Sequence, residues 1–424
     1  MKKCLIMLTA DYPFTVGEPF LESEMPYHSG NYDKIIILTF EKTPGAELTR
    51  KLPDNAQAFN ISTVNPKITR ALSTAEGLFS SVFHKTELPE SDKERIGGSF
   101  AKRAFTEYFE KRAFNKFKDC KKILDKIDFS LYDTVTVYSY WFFVTCRVGV
   151  YVKNYLKDKG VSAFLVSRAH RYDIYESANS LDYLPCRELL ASETEKVFVC
   201  SSDGCEHLKS LLPSYAHRFK TAYLGTADNG TGSYTNTFHI LTCSRTVPVK
   251  RLDKLIDALS LLKDSGAELY WTHIGDGSEQ DKIKAFAEEK LKFMNFEFLG
   301  QMSNSEVCSY YKNHPVNLFV NISSSEGLPV SIMEAASFGT PVLATDVGGT
   351  REIVVDGYNG YLLRSDFEST ELAEKISEFY NMPTEKYNKM RKNAREYWEN
   401  NFNCDKNYSD FADELLSLAE TVNK

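Results

Sequence analysis

Two carboxylates separated by seven residues, Glu326 and Glu334, bracket the segment EGLPVSIMEA. Ionised carboxylates accept hydrogen bonds and donate none, so they hold hydroxyl groups rather than anions. Between them the N–H groups of Gly327, Leu328 and Val330 fall where a helix should begin. Pro329 suits a first helical turn, because its missing N–H would have no partner there anyway. Partial positive charge collects at such an end and makes an anion site, for which a diphosphate is a natural guest. Glu334 lies four residues past Val330, about 6 Å further along the axis. A sugar at Glu326, a diphosphate at the amides and a ribose at Glu334, in a row, satisfy all three parts. Upstream, Arg245 and Lys250 stand five positions apart on a segment expected to leave a strand end. One reading is two solvated surface charges. The other is a pair of fixed cations on the two phosphates of a leaving group, Arg as a planar fork and Lys as a point charge.

The elements that must hold these residues are legible. Residues 316–323 (VNLFVNIS) read as a buried parallel strand. The helix after Pro329 should run to about Phe338, with Gly339 as a left-handed stop. Val342-Leu343-Ala344 is the next strand. Gly348-Gly349 permits close backbone approach, and a short helix should follow over 350–355.

The run EGLPVSIMEA followed by GTPVLATDVGGTREIV resembles the donor-site signature of retaining glycosyltransferases of family 4, the group 1 glycosyltransferases. The resemblance implies an α/β chain of GT-B fold: two Rossmann-like domains whose parallel sheets face each other across a cleft, using a nucleotide sugar. Residues 245–250 resemble the family's R-L-x-P-x-K segment, with Thr246 in place of Leu. That match favours the phosphate role for Arg245 and Lys250. It also places the nucleotide base near Leu299, Gly300 and Gln301, held largely by backbone. A histidine just past a strand end, such as His170, is by itself more often structural. Yet S-R-A-H-x-x-D-x-Y-E, starting at Ser167, resembles the N-domain motif of members that build bacterial surface polysaccharides. Their histidine faces the donor sugar, which makes His170 a site residue and sets Asp173 near the sugar or acceptor. Loop 11–18 (DYPFTVGE) should lie at the carboxyl end of its sheet, where open α/β sheets bind ligands. Gly17 is placed there with the donor, the other reading of the loop being a plain turn.

A chain of 424 residues suits two domains of roughly 200 residues each. The expected division is 1–230 for the acceptor, with a C-terminal helix over about 405–424 packing back on it, and 231–404 for the nucleotide sugar. A hinge is expected over 223–239, rich in glycine and small polar residues. Hydrophobic content of 42% and charged content of 26% are those of a globular protein, and a net charge of −7 argues against nucleic acid as partner. The nine cysteines include no C-x-x-C pair and read as reduced cytosolic thiols. MKKCLIMLTA reads as a first buried strand rather than an export signal, and 135–152 as a strand then a buried helix rather than a membrane span. Residues 46–95 read as loops and short helices, a candidate mobile cover. Residues 99–126 form a long helix with aromatic residues at helical spacing and nine Lys/Arg against four Asp/Glu. That helix either packs its aromatic face on its own domain or lies peripherally on an anionic membrane. The expected location is cytoplasmic, with peripheral attachment to the inner face of the plasma membrane in the second case.

The implied chemistry is transfer of a sugar with retention of configuration, from a nucleoside diphosphate sugar (most commonly of uridine in the family) to a glycan or lipid-linked acceptor. Amides at 327–330 with Arg245 and Lys250 would stabilise charge on the leaving diphosphate, and domain closure would exclude water. No two aspartates are spaced D-x-D, so no metal–diphosphate clamp is apparent and no metal cofactor is expected. The remaining alternatives are a protein or small-molecule acceptor, a GT-B epimerase, and a non-catalytic subunit that binds a glycosyltransferase partner.

Overall fold

A computed structural model describes residues 2–15, 17–40, 46–61, 87–179, 181–235 and 237–422. The chain divides into two compact units, Met1–Leu224 with Tyr408–Lys424, and Gly225–Asn407.

The first unit is built on seven parallel strands: β1 (Lys3–Thr9), β2 (Lys34–Thr39), β3 (Ala56–Asn60), β4 (Thr134–Ser139), β5 (Ala163–Ala169), β6 (Lys196–Val199) and β7 (Phe219–Thr221). Their order is β3-β2-β1-β4-β5-β6-β7. β1 is apolar at nearly every position because both faces of the sheet are covered. Cys4, Ile6 and Leu8 point to one side, against Phe109 and Ala113 of the helix Phe100–Leu124 and Val148 and Val152 of the helix Val144–Asp158. Leu5 and Met7 point to the other, against Leu21 and Met25 of the helix Phe20–Asn31 and Phe411 and Leu415 of the last helix, Cys404–Val422.

The aromatic side of the basic helix is therefore used inside its own unit. Phe109 meets Phe143 at 5.1 Å and Phe117 stacks on Tyr151 at 5.5 Å. Only Phe100, at its first turn, is 71% exposed. Within 135–152, Arg147 is buried and pairs with Glu110 at 2.8 Å. No helix among the described residues is long and apolar enough to cross a membrane. Of the region read as a mobile cover, 46–61 supply edge strand β3 and 87–95 begin a helix, Glu90–Ile96. Residues 62–86 lie outside the described residues.

The second unit carries six parallel strands: β8 (Phe238–Cys243), β9 (Leu269–Ile274), β10 (Asn295–Gly300), β11 (Leu318–Asn321), β12 (Val342–Thr345) and β13 (Gly360–Leu363), in the order β10-β9-β8-β11-β12-β13. β8 lies between β9 and β11, with Ile240 opposite Trp271 and Leu318. The chain enters this unit at Gly225, ahead of most of the segment that reads as a hinge. Those small polar residues are clamped to the second unit by two arginines: Arg391 donates to the Gly232 carbonyl at 2.6 Å and Arg395 pairs with Asp228 at 2.6 Å.

Candidate functional site

In the second unit the loops leaving β8, β11 and β12 are tied together at the carboxyl end of the sheet. The Ser324 amide donates to the Val249 carbonyl at 2.8 Å, and the Gly349 amide to the Gly327 carbonyl at 2.7 Å. Gly348 has φ +51°, and a Cβ there would stand 2.1 Å from the Glu326 carbonyl, so the pair of glycines is a condition of this approach. Arg251, in a left-handed conformation with φ 51°, reaches across and donates to the carbonyls of Ile322 at 2.6 Å and Ser323 at 3.0 Å. It fixes the strand end that leads to Glu326.

This framework brings Lys250 and Glu326 together: Nζ lies 2.6 Å from Oε1, and Asn321 donates to the same oxygen at 3.3 Å. The cation assigned to phosphate and the carboxylate assigned to sugar hydroxyls thus share one hydrogen bond. Arg245 is on the same loop and exposed. Thr246, which departs from the family's Leu, is buried. Its hydroxyl meets His273 Nε2 at 3.0 Å and Gln280 at 2.5 Å. The other ring nitrogen of His273 meets Thr242, which accepts from Trp271. Burial pushes His273 down to about 4, so the ring is neutral and serves as a link in this chain.

The helix runs Val330–Ser337 behind Pro329, with no capping side chain, and Gly339 at φ +67° ends it. Leu328 is buried beside its start. Glu334 is 8% exposed, and among the described residues its carboxylate accepts from the side-chain amide of Asn304 alone. Burial raises its carboxyl to about 7, with the Asn304 bond pulling the other way. Gly300, at φ +70°, ends β10 and accepts from the Gly275 amide at 2.8 Å, and Gln301 next to it is exposed. Asn304 and Arg251 escaped the sequence reading. Asn304 had a signal: Ser303 and Glu306 form a capping box that fixes the helix start.

The first-unit candidates sit at the carboxyl ends of β1 and β5. His170 is half-buried, its Nε2 donates to the Tyr140 carbonyl at 3.1 Å, and its ring lies 4.7 Å from those of Tyr140 and Trp141. Burial, with Arg168 adding, lowers it to about 3, which leaves a neutral ring near pH 7. Asp173 offers nothing to a ligand. It is fully buried and accepts from the amides of His170 and Phe142, both at 2.5 Å. Burial raises it to about 7. Its place is to lock the ends of β4 and β5 together. Gly17 is packed tightly, since a Cβ there would stand 2.5 Å from the Asp11 carboxyl carbon, and its carbonyl accepts from Arg50 at 2.9 Å. Glu18, with φ 52°, turns its carboxylate inward to the amides of Ala10, Asp11 and Tyr12. Residues 10–12 are accordingly folded around the Glu18 carboxylate.

Comparison with known proteins gives the class first. The whole chain superposes on HepE of Anabaena, solved with UDP, with a TM-score of 0.64 at 17% identity, covering 98% of this chain and 100% of that one. The fold is GT-B. Within it, residues 226–397, most of the second unit, match the family model of group 1 glycosyl transferases. Among curated proteins, an uncharacterized glycosyltransferase of Methanocaldococcus jannaschii is 39% identical over 135 residues, 32% of this chain and 36% of that protein. A putative colanic acid biosynthesis glycosyltransferase of Escherichia coli, WcaL, is 27% identical over 168 residues, 39% of this chain and 41% of that protein. The chain therefore spans less than half the length of these relatives.

Proposed function

We propose that this protein is a retaining glycosyltransferase that moves a sugar from a uridine diphosphate sugar to a glycan or lipid-linked oligosaccharide in bacterial surface polysaccharide biosynthesis, without a divalent metal. The observation that carries the donor site is the arrangement on one helix and its approach loop: Lys250 against Glu326, uncapped amides at Val330, and buried Glu334 further along. Glu334 takes the ribose hydroxyls, the amides with Arg245 and Lys250 take the diphosphate, and Glu326 takes the transferred sugar. Gly300 and Gln301 lie beside the base. Electrostatic stabilisation of the departing diphosphate is the main catalytic contribution, and two cations supply it in place of a metal. His170 serves as a neutral hydrogen-bonding group in the first unit. Uridine as carrier is supported by the UDP bound to HepE, and the polysaccharide acceptor by the name of WcaL. Retention rests on the family resemblance. The basic surface of Phe100–Leu124 adds peripheral attraction to an anionic membrane by charge alone, since its aromatic side is occupied.

Thermal melting with the diphosphates of uridine, guanosine and adenosine, with and without magnesium, tests the reading. UDP at about 100 times its dissociation constant should stabilise the second unit by about 2.7 kcal/mol, with or without magnesium. Arg245→Ala and Lys250→Ala should each cut transfer at least tenfold, about 1.4 kcal/mol, without unfolding the chain. No shift with any diphosphate, or near-normal transfer in both variants, would remove this donor site.

A further inference from the structure

At the carboxyl ends of β4 and β5 two short loops run side by side and match aromatic residues rung by rung. Trp141 and Phe143 leave β4, and His170 and Tyr172 leave β5. The Trp141 ring lies 4.7 Å from His170, and the Phe143 ring 5.8 Å from Tyr172. The register between rungs is fixed from beneath: the Phe142 amide donates to Asp173 at 2.5 Å, and Arg187 donates to the Phe142 carbonyl at 2.8 Å. Trp141 is also held by its edge, its Nε1 donating to Glu18 at 2.6 Å. Glu18 is itself fastened by three backbone amides, so the indole is aimed by a group that has no freedom to move.

Exposure sets this tryptophan apart. Of the three in the chain, Trp271 and Trp398 are fully buried, whereas Trp141 is partly open and Tyr172 is 49% exposed. A partly open indole at the carboxyl end of a sheet, its polar edge already satisfied by Glu18 and an exposed tyrosine on the neighbouring rung, offers apolar ring surface. A pyranose ring has the matching chemistry: an apolar C–H face and a rim of hydroxyls that stay hydrated or meet polar neighbours. A rigid ring costs little ordering on contact, unlike a long flexible side chain.

We propose that this ladder in the first unit is a sugar-binding platform, with Trp141 the stacking residue and Glu18 its positioning residue. The proposal rests on the glycosyltransferase reading and adds a subsite to it. The ring has two sources, the transferred sugar of the donor and a sugar of the acceptor, and the experiment separates them.

Because Trp271 and Trp398 are buried, acrylamide quenching of the full-length protein reports on Trp141. It is measured with UDP alone, with UDP-glucose and UDP-N-acetylglucosamine, and with the neutral disaccharides maltose, cellobiose and lactose at millimolar concentration. A sugar-bearing ligand should protect Trp141 beyond UDP alone. Protection by a nucleotide sugar only assigns the platform to the transferred sugar. Protection by a disaccharide without UDP assigns it to the acceptor. By calorimetry, Trp141→Ala should weaken the protecting ligand at least tenfold and Trp141→Phe, which keeps a ring, by much less. Glu18→Gln should fall between them, because it loosens the indole without removing it. No protection by any sugar, or equal affinity in Trp141→Ala and wild type, overturns the platform. A UDP melting shift in the wild type that accompanies such a failure leaves the donor-site reading standing. Protection by a disaccharide with no UDP shift would sustain the platform while the donor site fails.

Discussion

Glu24 in the first unit and Glu334 in the second are both buried glutamates, and their surroundings could hardly differ more. Glu24 is fully buried and faces the guanidinium of Arg168 at 3.0 Å, the hydroxyl of Tyr138 at 2.9 Å and His28 at 2.8 Å. Burial alone would raise its carboxyl, but Arg168, His28 and Tyr138 outweigh it and hold the group near 2. Arg168 in turn lies 4.0 Å over the ring of Phe411, beneath the last helix. Glu334 has one neutral amide, from Asn304, and its carboxyl rises to about 7. The comparison separates two uses of the same side chain. A carboxylate whose acceptor capacity is met by a cation and a hydroxyl is part of the packing. One with a single neutral donor among the described residues keeps capacity to accept further hydroxyls, which is what the proposed donor site asks of Glu334.

The largest effect should come from breaking the first arrangement. Arg168→Leu leaves the Glu24 carboxylate buried without its cation, a change that typically costs about 3 to 5 kcal/mol. Urea unfolding followed by a probe in the first unit should show that loss. A cost below about 1 kcal/mol would mean that water or a rearranged His28 replaces the guanidinium.

Glu334→Gln should act in the opposite direction on stability. The folded carboxyl titrates near 7 against an ordinary 4.5, so between those values the folded chain keeps a proton that the unfolded chain has lost. The stability contributed by Glu334 is fully present below about pH 4.5 and is lost as pH rises through 7. By pH 8 the ionised group costs the fold up to about 3 kcal/mol. Glutamine has no charge to bury, so the variant should be the more stable protein at pH 8, with the gap closing toward pH 4.5. Asp173 shifts the same way in both proteins and cancels from the difference. UDP affinity should fall at least tenfold in the variant. In the wild type it should weaken as pH drops through 7, when Glu334 gains the proton. A variant less stable than wild type at pH 8, with UDP affinity unchanged, would make Glu334 structural like Glu24.

The same contrast explains what could be read from the sequence. The second-unit site lies within continuous stretches: Glu326 to Glu334 is a single loop and helix, and Arg245 to Lys250 a single turn. Strand, proline, helix and glycine stop follow from local rules, and the structure has all four. The first-unit site is assembled from β1, β4 and β5, so Glu18, Trp141 and His170 meet only once the sheet has formed. Nothing local in YSYWFF marks Trp141 as the residue that rests on His170. Asp173 carried a family position but no sign that two backbone amides would consume it. The segment 223–239 read as a hinge does hold the boundary between the units, after Leu224, but its sequence could not show that Arg391 and Arg395, far along the chain, tie Gly232 and Asp228 to the second unit. Edge strands β3 and β7 are short and only partly covered, so their sequences lack the continuous apolar run that marks β1 and β2.

Thr246 provides the smallest and most local test of the comparison. Leu is the residue the family pattern has there, and restoring it would remove a hydroxyl that joins His273 to Gln280. Both ring nitrogens of the buried His273 have hydroxyl partners, Thr242 and Thr246. Stranding the His273 nitrogen should then cost about 1 to 3 kcal/mol, less than the loss expected at Arg168 because no charge is left behind. Thr246→Leu should lower the unfolding midpoint of the second unit by that amount. Arg245 is the preceding residue, so UDP affinity should drop as well, by less than Arg245→Ala causes. An unchanged midpoint would show that His273 finds another partner, and that the polar chain from Trp271 to Gln280 does not hold the cation loop in place.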